Sequence, residues 1–125
     1  MNTKQMLNAG FGFSRLAFGA VCTAAPERIG TSWIGDKAEQ PQTKVILRAL
    51  GVRDMVVGAG TLQAALSDDA TPWIAASTLA DLGDITATLL GRGALPDRAV
   101  KITVAVAGAA AITGLALLAL EANED

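Results

Sequence analysis

The chain has 125 residues, of which 51% are hydrophobic and 18% are charged, with a formal net charge of -2. Soluble domains carry about 25% charged residues, so this composition indicates a membrane protein or a very apolar helical domain and excludes a disordered chain or a disulfide scaffold. The charge balance provides no basic surplus for binding nucleic acid. Histidine is absent and Cys22 is the only cysteine, which excludes imidazole catalysis, histidine-ligated metals and an intramolecular disulfide.

Four prolines separate four apolar segments, each close to the roughly 20 residues that cross a bilayer. The predicted helices cover residues 5–24, 43–66, 72–90 and 99–120. The sequence therefore predicts an all-α fold, a polytopic membrane four-helix bundle in which residues 1–125 form a single domain. Arg15 interrupts the first segment where a signal peptide would be apolar, so we expect a retained helix. Because three segments contain charges, a soluble apolar helical domain is the alternative.

The charges of the connecting segments predict the orientation. Six basic residues lie in or beside the loops 25–42 and 91–98, namely Arg28, Lys37, Lys44, Arg92, Arg98 and Lys101. Only Lys4 is basic at the opposite side, which also carries Asp68, Asp69 and the acidic C-terminus. The positive-inside rule therefore places both loops in the cytoplasm and both termini outside the cell (inner or plasma) membrane, with Trp33 and Trp73 at the interfaces.

Six ionisable residues fall within the predicted spans: Arg15, Arg48, Arg53, Asp54, Asp81 and Asp84. At 1.5 Å rise per residue, five of them lie about 13–18 Å from the outer face, whereas Arg48 lies nearer the cytoplasm. An unpaired charge at this depth is costly, so pairing inside the bundle is expected. The hypothesis is a network of Arg15 and Arg53 with Asp54 and Asp81, and of Arg48 with Asp84.

This network has two interpretations. As a structural lock that fixes helix register, it favours a non-enzymatic accessory subunit or scaffold of a membrane complex. As a polar site at the midplane, it favours a carrier or binding protein for a small polar or amphipathic molecule. A third alternative is an intramembrane enzyme that uses an aspartate as general acid or base. The predicted partners are the lipid bilayer and either a partner membrane protein or further copies of the chain.

Small residues predict where helices pack closely. The helix-packing residues are Gly51, Gly58, Ala110 and Gly114, and Gly10 with Ser14 forms a further pair of small residues four positions apart. Asp81 and Asp84 resemble a carboxylate pair for a metal, but arginines at the same depth would compete with a cation. Serine and threonine hydroxyls have no histidine base to activate them. The sequence therefore predicts no metal, no cofactor and no catalytic residue.

Three motifs resemble an uncharacterised family of small four-helix bacterial membrane proteins, common in actinobacteria and DoxX-like in proportions. They are SRLAFG at 14–19, RALGVRDMVVGAGTL at 48–62 and ADLGDITATLL at 80–90, with Pro26 after the first. The resemblance implies the fold and a membrane location, and it implies no activity. DoxX-like proteins are associated with redox or sulfur metabolism, but a chain whose only thiol is Cys22 departs from that chemistry.

Overall fold

The structure is a computed structural model that describes residues 1–67 and 69–123. Within this part the chain is helical, without strands. The five helices are α1 Thr3–Ala24, α2 Pro26–Ile34, α3 Pro41–Leu66, α4 Thr71–Leu90 and α5 Asp97–Ala122. Short 3-10 helices at Gly35–Glu39 and Arg92–Ala94 complete the connections. The all-α class predicted from the sequence is confirmed.

Local signals define the helix ends. Asn2 and Gln5 form a capping box, in which the Gln5 N–H donates to Oδ1 of Asn2 at 2.8 Å. Proline occupies the first turn of α2, α3 and α4, where its missing N–H leaves no hydrogen bond unmade. The four long helices begin and end within two residues of the predicted bounds, and prolines mark the starts of α3 and α4.

The loop predicted at 25–42 contains α2 and a 3-10 helix, so this part of the prediction is corrected. Hydrogen bonds from Trp33 link α2 to α5. Its indole N–H donates to Oγ1 of Thr103 at 2.8 Å and to the carbonyl of Ala99 at 3.1 Å. Gly35 ends α2 with a φ of 74°, which a residue with a side chain rarely adopts. The segment therefore packs against the long helices at one end of the molecule.

The long helices are neighbours in the order α1, α3, α4, α5 and back to α1. Residue contacts show that successive helices in this ring run antiparallel. Gly12 faces Gly58 across α1 and α3, while Gly19 faces Gly51. The other contacts that define the ring are Gly60 with Trp73, Arg53 with Asp84, Thr78 with Gly114, and Lys4 with Glu121.

α1 and α3 approach one another backbone to backbone. A Cβ added to Gly12 would lie 2.7 Å from the backbone nitrogen of Leu62 and 2.8 Å from the carbonyl oxygen of Gly58. A Cβ added to Gly19 would lie 2.5 Å from the carbonyl oxygen of Gly51. Each helix therefore presents two glycines seven residues apart, and close packing of this kind requires that they carry no side chain.

The distribution of polarity is inverted relative to that of a soluble domain. Among the described residues, the large aliphatic side chains that are buried are Leu47, Ile74 and Leu117. The remaining interior consists of glycine, alanine, proline, Cys22 and eight polar or charged side chains. By contrast, 21 large hydrophobic side chains are exposed, and they occur along all four long helices. Of the helices, α5 is long and apolar enough by itself to be a membrane-span candidate.

Candidate functional site

The most deeply buried ion pair joins α1 to α4. Nη1 and Nη2 of Arg15 donate to the two carboxylate oxygens of Asp81 at 3.0 and 2.6 Å. The side chains are only 8% and 6% exposed, so the pair is enclosed by the four long helices. A guanidinium and a carboxylate in this bidentate arrangement match in geometry as well as in charge, which fixes the register of the two helices.

Asp54 of α3 links this pair to a second arginine. Its Oδ1 lies 3.4 Å from Nε of Arg15 as an ion pair, and it accepts hydrogen bonds from Nε and Nη2 of Arg53 at 3.3 and 3.1 Å. The Asp54 side chain is 7% exposed. One carboxylate therefore bridges two guanidiniums in the interior.

Arg53 completes the network by binding Asp84 of α4. Nη1 and Nη2 of Arg53 donate to Oδ1 and Oδ2 of Asp84, each at 2.8 Å. These two side chains are 34% and 31% exposed. The network therefore extends from the interior to the outer face between α3 and α4.

Five charges form a continuous series across three helices, in the order Asp81, Arg15, Asp54, Arg53 and Asp84. Each carboxylate is bound by a guanidinium, so none is left uncompensated in the interior. With three anions and two cations, the series carries one net negative charge. All three carboxylates are bound by arginine, so the arrangement cross-links α1, α3 and α4.

The structure brings together five of the six ionisable residues predicted from the sequence. The exception is Arg48, which is exposed and donates from Nε to the carbonyl of Thr23 at 3.4 Å. The predicted pairing of Arg48 with Asp84 is wrong, since Asp84 binds Arg53. Asp54 is also a bridge between two arginines, which the sequence-based pairing did not specify.

Three of the predicted packing residues lie at close helix contacts. Gly51 and Gly58 face α1, and Gly114 lies against the Thr78 side chain. Ala110 is half-buried. Gly10, by contrast, has open space around it, so the predicted small-residue pair with Ser14 forms no contact within the described chain. The residues that sequence reasoning missed are Gly12 and Gly19, whose spacing of seven matches that of Gly51 and Gly58.

A smaller polar cluster lies at the end of the molecule where the chain begins. Nζ of Lys4 lies 3.0 Å from Oε2 of Glu121, and Nδ2 of Asn8 donates to Oε1 of the same carboxylate at 2.7 Å. These contacts join α1 to α5. Among residues 1–67 and 69–123, no three cysteine, aspartate or glutamate side chains are grouped so that they could hold a metal ion.

Comparison of the chain with family models, with curated proteins and with solved structures finds no match. The distribution of apolar surface and the ion network are therefore the features that bear on function.

Proposed function

We propose that this chain is a small integral membrane protein whose four long helices cross the bilayer as a bundle. Its role is that of a non-enzymatic accessory subunit or scaffold of a membrane complex. The observation that carries the proposal is the inverted polarity, with 21 large hydrophobic side chains exposed and eight polar or charged side chains buried. In water such a surface would drive association, whereas lipid chains solvate it directly.

The ion network accounts for the charges that make α1, α3 and α4 less apolar than α5. Arg15 and Asp81 each lower the mean hydropathy of their helix. However, each is bound to an opposite charge, and each side chain is less than a tenth exposed. Intramembrane charges are expected to face the interior and to pair with one another. The pairing therefore supports a bilayer position for helices that hydropathy alone does not select.

The accessory role follows from the state of the carboxylates. General acid or base catalysis needs a group that can reach a substrate proton. Asp54, Asp81 and Asp84 are each bound by at least one arginine, and two of them are enclosed. A network in this state holds helices in register, which is the property that a scaffold requires.

The proposed orientation places α2 and the loop before α5 in the cytoplasm. Arg28, Lys37, Arg92 and Arg98 are exposed at this end of the molecule. At the opposite end, Lys4 is paired with Glu121, and hydrogen bonds from the Thr71 hydroxyl and N–H hold the pKa of the exposed Asp69 below its usual range. The asymmetry of basic residues supports a topology with both termini outside.

Cell fractionation tests the membrane proposal. We expect the chain to sediment with membranes and to stay there after extraction with alkaline carbonate, because its apolar surface is solvated by lipid. In mild detergent, an accessory subunit also co-purifies with a constant set of partners. Recovery of the folded chain in the soluble fraction would contradict the membrane proposal, and recovery without any associated protein or second copy would contradict the accessory role.

A carrier for a small polar molecule is the second candidate, and unsatisfied polar groups inside the bundle favour it. Among the described residues, three buried polar atoms have no hydrogen-bond partner, namely Oγ of Ser77, Oδ1 of Asn8 and Nε of Arg15, which lies 3.4 Å from Asp54 as an ion pair. A buried hydroxyl without a partner is destabilising, and a bound molecule or water would relieve it. Ser77 lies one helical turn before Asp81, on the interior side of α4.

Native mass spectrometry of the protein released from mild detergent tests this alternative. A carrier retains a small polar molecule, and replacing Ser77 with valine releases it, because the hydroxyl that would bind it is gone. The matched control is Thr86→Val on the exposed side of α4, which is expected to leave the bound mass unchanged. A bare protein mass for the unaltered chain would contradict the carrier function and leave the scaffold.

A further inference from the structure

The outer end of the ion network is poorly suited to contact with lipid. The Arg53 and Asp84 side chains are about one third exposed, on the face formed by α3 and α4. Arg53 is the thirteenth residue of the 26 in α3, so the pair lies at mid-length of that helix. In the membrane position proposed above, this level is within the hydrocarbon layer, where charged groups face protein or water rather than lipid. A protein partner with polar groups is therefore expected to pack against the α3–α4 face.

We propose that a second copy of this chain covers the α3–α4 face, giving a two-fold symmetric dimer. This inference rests on the proposed membrane location and names the partner of that surface. An Arg53–Asp84 pair offers one cation and one anion at the same surface, so it is complementary to another pair of the same kind. A two-fold contact joins identical patches, and it brings each arginine towards the aspartate of the other copy.

The direction of the ion pair selects the symmetry axis. Arg53 and Asp84 belong to adjacent helices and bind each other directly, so the vector between their charges points from α3 to α4, across the helices. A two-fold axis along the membrane normal keeps both pairs at one depth and reverses that vector. The two pairs then lie antiparallel, which is the attractive arrangement of two dipoles. Both copies also keep the same topology, as the positive-inside rule demands.

The surface beside the ion pair permits close approach. The side chains of α4 next to Asp84 on its outer side are small and recur with helical spacing: Ala76, Ala80, Gly83 and Ala87. A Cβ added to Gly83 would meet no atom within 4 Å in the single chain. Small residues let transmembrane helices approach, so the two ion pairs are able to come within bonding distance. The ion pair provides charge complementarity between the two copies, and the small residues allow their helices to approach closely enough for the charges to interact.

Disulfide crosslinking in membranes tests the dimer. The chain offers a clean background, because Cys22 is its only cysteine and is buried. In a Cys22→Ser background, oxidation of Gly83→Cys is expected to give a dimer band, since a disulfide forms where Cα atoms are about 4–7 Å apart. The matched control is Gly10→Cys, on α1 and equally free of neighbouring atoms, which is expected to stay monomeric.

Co-expression of a tagged and an untagged copy of the Gly83→Cys variant identifies the protein that covers the α3–α4 face, because the crosslinked products differ in mass. Three bands, for the two homodimers and the mixed dimer, support the proposal. A crosslink to a different protein, no crosslink in membranes, or equal crosslinking through Gly10→Cys each overturns it. These outcomes are distinct from failure of the membrane proposal, which would appear as loss of the chain from the membrane fraction.

A steric variant tests the same contact without oxidation. Gly83→Leu is expected to raise the dimer dissociation constant in detergent about tenfold or more, because the leucine keeps the two α4 helices apart. Circular dichroism should show an unchanged helical fold, since the single chain has room for the side chain. Gly10→Leu serves as the control and should leave the dimer unchanged. Equal light-scattering masses for Gly83→Leu and the unaltered chain would overturn the proposal.

Discussion

Replacing Arg15 with leucine is expected to destabilise the protein by about 3–5 kcal/mol, as measured by unfolding in mixed detergent micelles. The substitution leaves Asp81 buried and without the two hydrogen bonds that it accepts from Arg15. Asp54 keeps its contact with Arg53, so the loss concentrates on one carboxylate. An uncompensated buried charge of this kind is among the largest effects that a single substitution produces.

The matched control is Arg48→Leu. This arginine belongs to the same sequence motif as Arg53, but it is exposed and donates only one long hydrogen bond, so an effect within about 0.5 kcal/mol is expected. The double variant Arg15→Leu with Asp81→Leu should recover much of the stability, because it removes both charges together. Equal destabilisation by the Arg15 and Arg48 variants would contradict the network, and so would a double variant no more stable than Arg15→Leu.

Adding a single methyl group at Gly58 is expected to separate α1 from α3. The alanine Cβ would lie 2.5 Å from the backbone nitrogen of Leu16 and 2.7 Å from the carbonyl oxygen of Gly12. Because both obstacles are backbone atoms, no rotamer change relieves the clash, and the helices must move apart along their contact. We expect Gly58→Ala to destabilise the protein by about 1–3 kcal/mol, measured by the same unfolding transition.

Gly10→Ala provides a control of opposite sign. Its Cβ meets nothing within 4 Å, and alanine favours a helix over glycine by about 0.8–1 kcal/mol. The Gly10 variant should therefore be slightly more stable than the unaltered chain, whereas the Gly58 variant should be less stable despite the same gain in helix propensity. A Gly58→Ala protein that unfolds at the same denaturant concentration as Gly10→Ala would contradict the backbone contact.

Sequence reasoning predicted the four long helices because their signals are local. Proline positions and segment lengths depend on the chain near each helix end, and these ends lie within two residues of their predicted positions. The helix α2 was missed because glycines and charges make its segment look like a loop. A signal was present nonetheless, since Pro26, Gly30 and Trp33 recur with helical spacing and all turn towards the long helices.

The membership of the ion network was predictable from depth, but its pairing was not. Depth along a helix depends only on the rise per residue, whereas pairing also depends on rotation about the axis and on the relative shift of neighbouring helices. Arg48 and Arg53 are five residues apart and so point in directions about 140° different. In addition, α3 has 26 residues and α4 has 20, so counting from level cytoplasmic ends places Asp84 beside Arg48, whereas counting from level outer ends places it beside Arg53.

The packing glycines of α1 illustrate a similar limit. A search for small residues four positions apart finds Gly10 with Ser14, yet the helix contact uses Gly12 and Gly19. Spacing within one helix cannot show which face meets a neighbour. The informative signal was the match between two helices, because the separation of seven in α1 equals that of Gly51 and Gly58 in α3.

The Arg15–Asp81 bond has a consequence for the synthesis of the protein. The two residues are 66 positions apart in the chain, so in the proposed membrane location α1 would enter the bilayer well before its partner helix has been translated. At a translation rate of about 5–20 residues per second, Asp81 is synthesised roughly 3–13 s after Arg15. Asp54 on α3 emerges earlier and is positioned to hold Arg15 in the meantime. Under the proposed topology, stable insertion of α1 would therefore depend on helices that the ribosome has yet to produce, and truncation after α1 would leave the arginine without either partner.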